Sequence, residues 1–226
     1  MEPRFSNRAE AGQYLAQKLR HYANRPDVIV LGLPRGGVPV AYEVARSLNL
    51  PLDVFIVRKL GVPGFEELAL GAIASGGVRV LNPEVVRALP NAAELVESLT
   101  QRELAELQRR EEIYRAGREA PDLSERTVIL VDDGLATGAT MRAAVTALRQ
   151  RGVARIIIAV PVGAAETCRE FENEVEETVC GISSDTFQAV GQYYDDFSQI
   201  SDAEVRDLLA RAAAETQKGP DRIPPS

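Results

Sequence analysis

The sequence predicts an α/β fold in which a parallel sheet forms the core and helices cover both of its faces. Short, continuously apolar runs at 28–31, 128–131 and 156–160 are typical of strands that are buried on both faces. Segments with apolar residues at helical spacing alternate with these runs, as in a parallel sheet with helical connections. The 226 residues are 45% hydrophobic and 26% charged, a composition that supports one substantial core and excludes a disordered chain.

The first part of the chain predicts a helix, a strand and a second helix. Apolar residues recur at helical spacing over 11–22, after the capping residue Asn7. The apolar run at 28–31 predicts the first strand. A turn rich in glycine and proline covers 32–39, and a helical pattern follows over 40–48.

The middle of the chain predicts a second strand and a helical insertion. The strand is expected at 54–57, and a loop runs from it to Glu67. The segment 83–118 is highly charged, and its leucine residues predict one or two long amphipathic helices. We interpret its charges as a solvated face, with a partner-binding surface as the alternative.

The strand at 128–131 begins another strand, loop and helix unit. A turn runs through Gly138, a helical pattern follows over 143–148, and a further strand is expected at 156–160. Ligands of parallel sheets bind beyond the carboxyl ends of the strands, so the loops there are where functional residues are expected. We expect a single domain over 1–217 and a flexible tail over 218–226.

Charge and cysteine content limit the function classes. The net charge of −7 and the pI of about 5.0 disfavour a nucleic-acid-binding surface. The apolar runs are much shorter than the roughly 20 residues that cross a bilayer, and the first residues lack the pattern of a secretory signal. We therefore expect a cytoplasmic protein without a membrane span. A reducing cytoplasm favours reading Cys168 and Cys180 as unpaired, buried residues rather than as a disulfide.

The strongest functional pattern lies at 127–141. A buried strand ends in Asp132 and Asp133, and a turn rich in threonine and glycine then opens a helix. The free amides of the helix N-terminus and the hydroxyls of Thr137 and Thr140 are suitable donors to a phosphate. The carboxylates would repel that phosphate, so we expect them to accept hydrogen bonds from sugar hydroxyls or to hold waters of a bound Mg²⁺. The pattern thus indicates a site for a ribose 5-phosphate.

This segment resembles the signature of the type I phosphoribosyltransferases, in which two acids and a small Thr-Gly turn follow an apolar strand. The resemblance implies a site for 5-phosphoribosyl 1-diphosphate (PRPP), with Asp132 and Asp133 on the ribose hydroxyls and holding Mg²⁺ through water. The 5-phosphate would lie against five consecutive residues. They are Ala136, Thr137, Gly138, Ala139 and Thr140.

Two more segments are similar to loops of the same family. The loop Pro34, Arg35, Gly36 and Gly37 is similar to the loop whose main-chain amides bind diphosphate, although a plain strand-to-helix turn is the alternative. The segment 58–67 is similar to the family's mobile active-site loop. Its cations, Arg58 and Lys59, would then close over the diphosphate; the alternative is a solvated hairpin with ordinary surface charges.

A region at about 181–200 is similar to the hood of the purine enzymes of this family, where an aromatic ring stacks on the base and an acid binds its edge. The candidates for base binding are Phe187, Tyr193, Tyr194 and Asp195, with core packing and surface charge as the alternative roles. In 6-oxopurine enzymes of the family a carboxylate commonly stands at the position of Ala136. A hypoxanthine or guanine enzyme of that pattern is therefore not expected.

Taken together, the resemblance implies a Mg²⁺-dependent transferase that moves the ribose 5-phosphate of PRPP onto a purine or pyrimidine base, as in nucleotide salvage. Arg35, Arg58 and Lys59 would be its catalytic cations. The alternative is a protein that binds PRPP as a sensor without turnover. The expected partners are PRPP and a base, with no nucleic acid and no membrane, and a homodimer is left open.

Overall fold

A computed structural model describes the backbone of residues 4–62 and 65–218. The strands, in chain order, are β1 (Val28–Gly32), β2 (Leu52–Val54), β3 (Val57–Val62), β4 (Phe65–Ala74), β5 (Val78–Leu81), β6 (Thr127–Val131), β7 (Arg155–Ala164) and β8 (Glu177–Ser184). The helices are α1 (Arg8–Lys18), α2 (Gly37–Leu48), α3 (Pro83–Ala88), α4 (Ala92–Arg115), α5 (Ala139–Gln150), α6 (Ala165–Phe171) and α7 (Asp202–Lys218), with short 3₁₀ turns at Arg20–Tyr22 and Val190–Tyr193.

Five strands form the central sheet in the order β2-β1-β6-β7-β8, and every pairing is parallel. The strand order reverses between β1 and β6, where the register pairs Gly32 with Val131 at the carboxyl ends. Loops leaving these two ends diverge to opposite faces and leave a crevice, which is the usual binding position in such sheets.

The sheet separates two apolar layers, because successive strand residues point to opposite faces. Val28 and Val30 of β1 pack with α1, α2, α4 and α7 on one face. Ile29 and Leu31 pack with α5 and α6 on the other. The predicted parallel sheet with helices on both faces is confirmed.

A second, antiparallel sheet in the order β3-β4-β5 follows β2. The predicted loop at 58–67 is therefore wrong in part: Arg58 and Lys59 lie in β3, which pairs with β4. The register shifts around Gly61, and this irregularity interrupts the apolar alternation from which a strand is read. Positions 63 and 64 lie outside the described residues.

Helices α3 and α4 occupy the segment predicted to be a helical insertion. α4 is 24 residues long, and Leu99, Leu107 and Tyr114 form part of its buried stripe. At its end, Arg115 Nε lies 3.0 Å from Asp53 Oδ2 of β2, and both residues are buried. Burial raises the pKa of Asp53, and the guanidinium opposes this effect. The ion pair thus fixes the insertion to the edge of the central sheet.

The prediction for the cysteines was wrong, because Cys168 and Cys180 form a disulfide. Helix α6 begins directly after β7 and packs on β8, which brings the two Cα atoms to 6.4 Å, within the range that a disulfide spans. The expectation rested on the redox compartment and took no account of this packing.

Helix α7 continues to Lys218. The sequence had predicted that this residue belongs to the flexible tail over 218–226. Residues 219–226 lie outside the described part. No helix in the described residues combines the length and the hydropathy needed to cross a membrane.

Replacing Arg115 by methionine is expected to lower the free energy of unfolding by about 3–5 kcal/mol, because Asp53 would stay buried without its partner. The exposed pair of Arg109 and Glu106 on the same helix is the matched control, and Arg109→Met should cost less than about 1 kcal/mol. Urea unfolding of both variants measures the difference. Equal losses would show that the Arg115 pair does not anchor α4.

Candidate functional site

Two loops meet in the crevice at the carboxyl ends of β1 and β6. A Cβ atom on Gly37 would lie 2.7 Å from the Val131 carbonyl oxygen, and one on Gly36 would lie 1.9 Å from Asp133 Oδ2. Only glycine permits such close approach of a backbone. The structure therefore brings Gly36 and Gly37 together with Asp132 and Asp133, as the sequence patterns required.

The first of these loops follows β1 and contains a cis peptide bond between Pro34 and Arg35. The amide of Gly37 already donates to the Leu33 carbonyl at 3.0 Å. The amides of Arg35 and Gly36 donate no hydrogen bond within the described residues, so they are available to a ligand. The Arg35 side chain is partly exposed, and its Nη1 lies 3.9 Å from Asp202 Oδ1 at the start of α7.

The two acids form a compact, partly buried pair. Asp132 Oδ1 accepts a hydrogen bond of 2.8 Å from the amide of Asp133. Burial and the neighbouring carboxylate raise the pKa of Asp132, and burial also raises the pKa of Asp133. A cation bound here would favour the ionised forms of both groups.

Arg8 of α1 is a residue of this site that sequence reasoning missed. Its Nε and Nη2 atoms both lie 2.9 Å from Asp133 Oδ2, and the guanidinium opposes the rise in the pKa of Asp133. The two residues are 125 positions apart, and no local pattern at Arg8 signals the contact.

The second loop ends in a nest of backbone amides at the start of α5. Gly138 precedes the helix at φ +74°, and no side chain in the described part of the protein caps the helix N-terminus. Its first amides are thus free for an anion. Thr137 and Thr140 flank the nest, and Thr167 of α6 supports the loop with a 2.8 Å hydrogen bond to the Ala136 carbonyl.

A cavity of about 250 Å³ lies over this loop, lined by residues 132–141 and by Val190. Val190 belongs to the hood, and a Cβ on Gly134 would lie 2.5 Å from its Cγ1 atom. Because Gly134 has no side chain, Val190 of the hood can pack directly against the loop that carries the two acids. All of the predicted acid and nest residues line this one cavity. They are Asp132, Asp133, Ala136, Thr137, Gly138, Ala139 and Thr140.

The hood places the predicted base-binding aromatics differently. Tyr193 and Tyr194 are buried in a small core with Phe5, so their ring faces do not stack on a ligand in this conformation. The Tyr194 hydroxyl donates to the Asp133 carbonyl at 2.6 Å, and burial raises the pKa of Tyr194. Phe187 lies parallel to Tyr193 at 5.5 Å, and Asp195 is exposed with its amide bound to Phe5. The spacing of aromatics alone could not distinguish these packing roles from stacking.

The two predicted lid cations face opposite sides of β3. Arg58 contacts Glu103 of α4, with Nη2 at 2.6 Å from Oε2. Lys59 is exposed and lines a cavity of about 330 Å³ together with Ala139 and Thr140. The two side chains point in opposite directions because successive residues of a strand face opposite sides of the sheet. The sequence predicted a loop for this segment and therefore did not predict the difference. Lys59 therefore neighbours the amide nest, whereas Arg58 does not reach it here.

Comparison with known proteins gives this crevice a family context. A family model described as the phosphoribosyl transferase domain matches residues 6–198. The chain belongs to this family. The match includes α1, both crevice loops, the helical insertion and the hood, and it confirms the resemblance read from the sequence.

Individual relatives agree with this membership. Rv0571c of Mycobacterium tuberculosis, provisionally named a phosphoribosyl transferase, is 49% identical over 92% of this chain. The match covers 47% of that protein, so the chain spans about half the length of this relative. The crystal structure of TT1426 from Thermus thermophilus is 42% identical, with a TM-score of 0.81 over 92% of this chain and 98% of that one. A uracil phosphoribosyltransferase of Lactobacillus delbrueckii subsp. bulgaricus is 31% identical over 60% of this chain and 64% of that enzyme.

Replacing Gly37 by alanine tests the close approach of the two loops. In an unhindered helix this change stabilises by about 0.4–1 kcal/mol. Here the new Cβ would meet the backbone of Val131 and Asp132, so we expect a loss of about 1–3 kcal/mol instead. Thermal unfolding gives the sign of the change, and a gain in stability would contradict the contact.

Proposed function

We propose that the protein is a phosphoribosyltransferase that uses PRPP and Mg²⁺ to transfer ribose 5-phosphate to a nitrogenous base with release of diphosphate. The observation that carries the proposal is the meeting of two structures in one crevice. A glycine loop with free amides packs directly against an acid pair, and the acid pair continues into an uncapped helix N-terminus.

Each part of the crevice fits one part of PRPP. The amides and hydroxyls of Thr137, Gly138, Ala139 and Thr140 suit the 5-phosphate, because backbone donors and the helix dipole favour an anion there. Asp132 and Asp133 would accept hydrogen bonds from the ribose hydroxyls. The diphosphate would then lie at the amides of Arg35 and Gly36.

The acid pair also suits Mg²⁺. Among the described residues no group of three or more His, Cys, Asp or Glu side chains could hold a metal alone. Mg²⁺ is commonly bound by one or two carboxylates together with waters and substrate phosphates, which matches Asp132 and Asp133 beside a diphosphate. When bound, the ion would neutralise charge on the leaving group.

The reaction breaks the bond between ribose C1 and the diphosphate oxygen, which keeps the electron pair. A nitrogen lone pair of the base forms the new C1–N bond, and the nitrogen loses its proton to solvent or to diphosphate. The chain's contribution is electrostatic, because charge develops on the leaving diphosphate. The amides of Arg35 and Gly36 can donate to that charge without rearrangement, and the Arg35 guanidinium can reach it after leaving Asp202.

A pyrimidine is the acceptor that we favour. Ala136 offers no carboxylate at the position where 6-oxopurine enzymes of the family commonly carry one. The relative from Lactobacillus delbrueckii is named a uracil phosphoribosyltransferase, and its match to this chain gives uracil priority among the bases to be tested.

The decisive test is a panel of free purine and pyrimidine bases incubated with PRPP, with diphosphate release as the readout. We expect release with a pyrimidine, and loss of release when Mg²⁺ is removed by EDTA. Asp133→Asn should lower the affinity for PRPP and serves as the matched variant for the site. Tight PRPP binding without release for any base would favour the sensor instead, and absence of PRPP binding would contradict both.

Single replacements at Lys59 and Arg58 should have different effects. Lys59→Ala removes the cation that is expected to close over the leaving diphosphate, where charge develops, so we expect kcat to fall by about 100-fold with little change in stability. Arg58→Ala should instead loosen β3 from α4 and mimic Glu103→Ala, because its partner lies on that helix. Steady-state kinetics and thermal unfolding of the three variants separate the roles. Indistinguishable kinetics for Lys59→Ala and Arg58→Ala would contradict the assignment.

A further inference from the structure

We propose that Arg8 is a positioning residue of the PRPP site and acts through Asp133; this inference rests on the proposed function. Arg8 lies on α1, outside both crevice loops, and its guanidinium binds Asp133 Oδ2 through Nε and Nη2 at 2.9 Å each. The two side chains are 9% and 15% exposed, so the pair is shielded from water and differs from a surface ion pair.

The guanidinium has no freedom to turn away from Asp133. Its remaining nitrogen, Nη1, donates to the Ser198 carbonyl at 2.9 Å, and its central carbon lies over the Phe197 ring at 4.0 Å from the centroid. A carboxylate, a carbonyl and an aromatic ring thus hold one side chain from three directions. Lysine could not satisfy all three contacts, because it lacks the planar fork.

This contact fixes the position of the Asp133 carboxylate. On one side lies Arg8, and on the other lies the Cα of Gly36, where the space admits no further carbon atom. Arg8 binds Oδ2, so Oδ1 is the oxygen of Asp133 that the arginine leaves to other partners. Without Arg8, the buried carboxylate would lose its charge partner and its fixed orientation.

The same contact joins the hood to the acid loop. Ser198 lies at the end of the hood, and Tyr194 of the hood donates to the Asp133 carbonyl. Arg8 therefore connects α1 and the hood to the loop after β6. The contacts meet at Asp133, one of the two acids assigned to the ribose. We expect its loss to affect PRPP more than the base, since Asp133 is assigned to the ribose.

The test measures PRPP affinity by titration calorimetry with Mg²⁺, and KM for PRPP and for the base. Arg8→Lys and Arg8→Gln should each weaken PRPP binding by about 10- to 100-fold, with a smaller change in KM for the base. The double variant Arg8→Gln with Asp133→Asn should bind PRPP no more weakly than Asp133→Asn alone, because Arg8 acts through that residue. The control, Arg20→Ala, removes an exposed arginine just after α1 and should leave both KM values unchanged.

Three results would overturn the proposal. One is wild-type PRPP affinity in Arg8→Lys; a second is additive loss in the double variant; a third is a lower unfolding temperature with unchanged KM for PRPP, as for a purely structural residue. If Arg8→Gln does not fold, Arg8→Lys alone and combined with Asp133→Asn decides the same questions. A wild-type protein that binds no PRPP overturns the proposed function and this inference together, whereas binding that is insensitive to Arg8 overturns only the inference.

Discussion

The site depends on the close approach of two backbone segments at the point where the strand order of the central sheet reverses. Gly36 and Gly37 lie so near to Val131, Asp132 and Asp133 that no side chain fits between the loops. The approach places free amides and two carboxylates within one small crevice, although the former attract anions and the latter repel them. The ligand that we propose carries phosphate groups for the amides and hydroxyl groups for the carboxylates. A phosphorylated pentose has this arrangement, and the family membership of the chain agrees with it.

Two buried carboxylates repel each other, and this unfavourable electrostatic energy explains why a residue from a distant part of the chain contacts the pair. Burial raises the pKa of both acids, and among the described ion pairs only Asp133 has a cation, Arg8, against it. The pair therefore keeps an excess of negative charge that a divalent cation would compensate. The two acids also differ in their partners. Asp133 connects α1 and the hood, whereas the Asp132 carboxylate accepts a hydrogen bond from the adjacent backbone amide.

Local patterns in the sequence were sufficient for β1, β6 and β7 of the central sheet and for the crevice loops. They placed the strand near β2 at 54–57 instead of Leu52–Val54, and they gave no strand at β8. The strand at β6, its two terminal acids and the uncapped nest at Gly138 are contiguous, so composition and spacing specify them. Contacts between distant segments were not accessible. Nothing near Arg8 indicates Asp133, nothing near Arg58 indicates Glu103, and the pairing of Cys168 with Cys180 follows from helix packing. The burial of the tyrosines at 193 and 194 could not be predicted for the same reason, because an aromatic residue that stacks on a ligand and one that fills a core look alike in sequence.

The helical insertion and the antiparallel sheet are joined beside the crevice by a contact between α4 and β3. Glu103 of α4 holds Arg58 on the outer face of β3, while Lys59 on the opposite face borders the nest at Ala139 and Thr140. Moving β3 toward a bound diphosphate would therefore either break the Arg58 contact or carry α4 along with it. Movement of α4 is opposed by the buried pair of Arg115 and Asp53, which fixes the end of α4 to β2. A movement of β3 toward the crevice would thus require the contact between Arg58 and Glu103 to break.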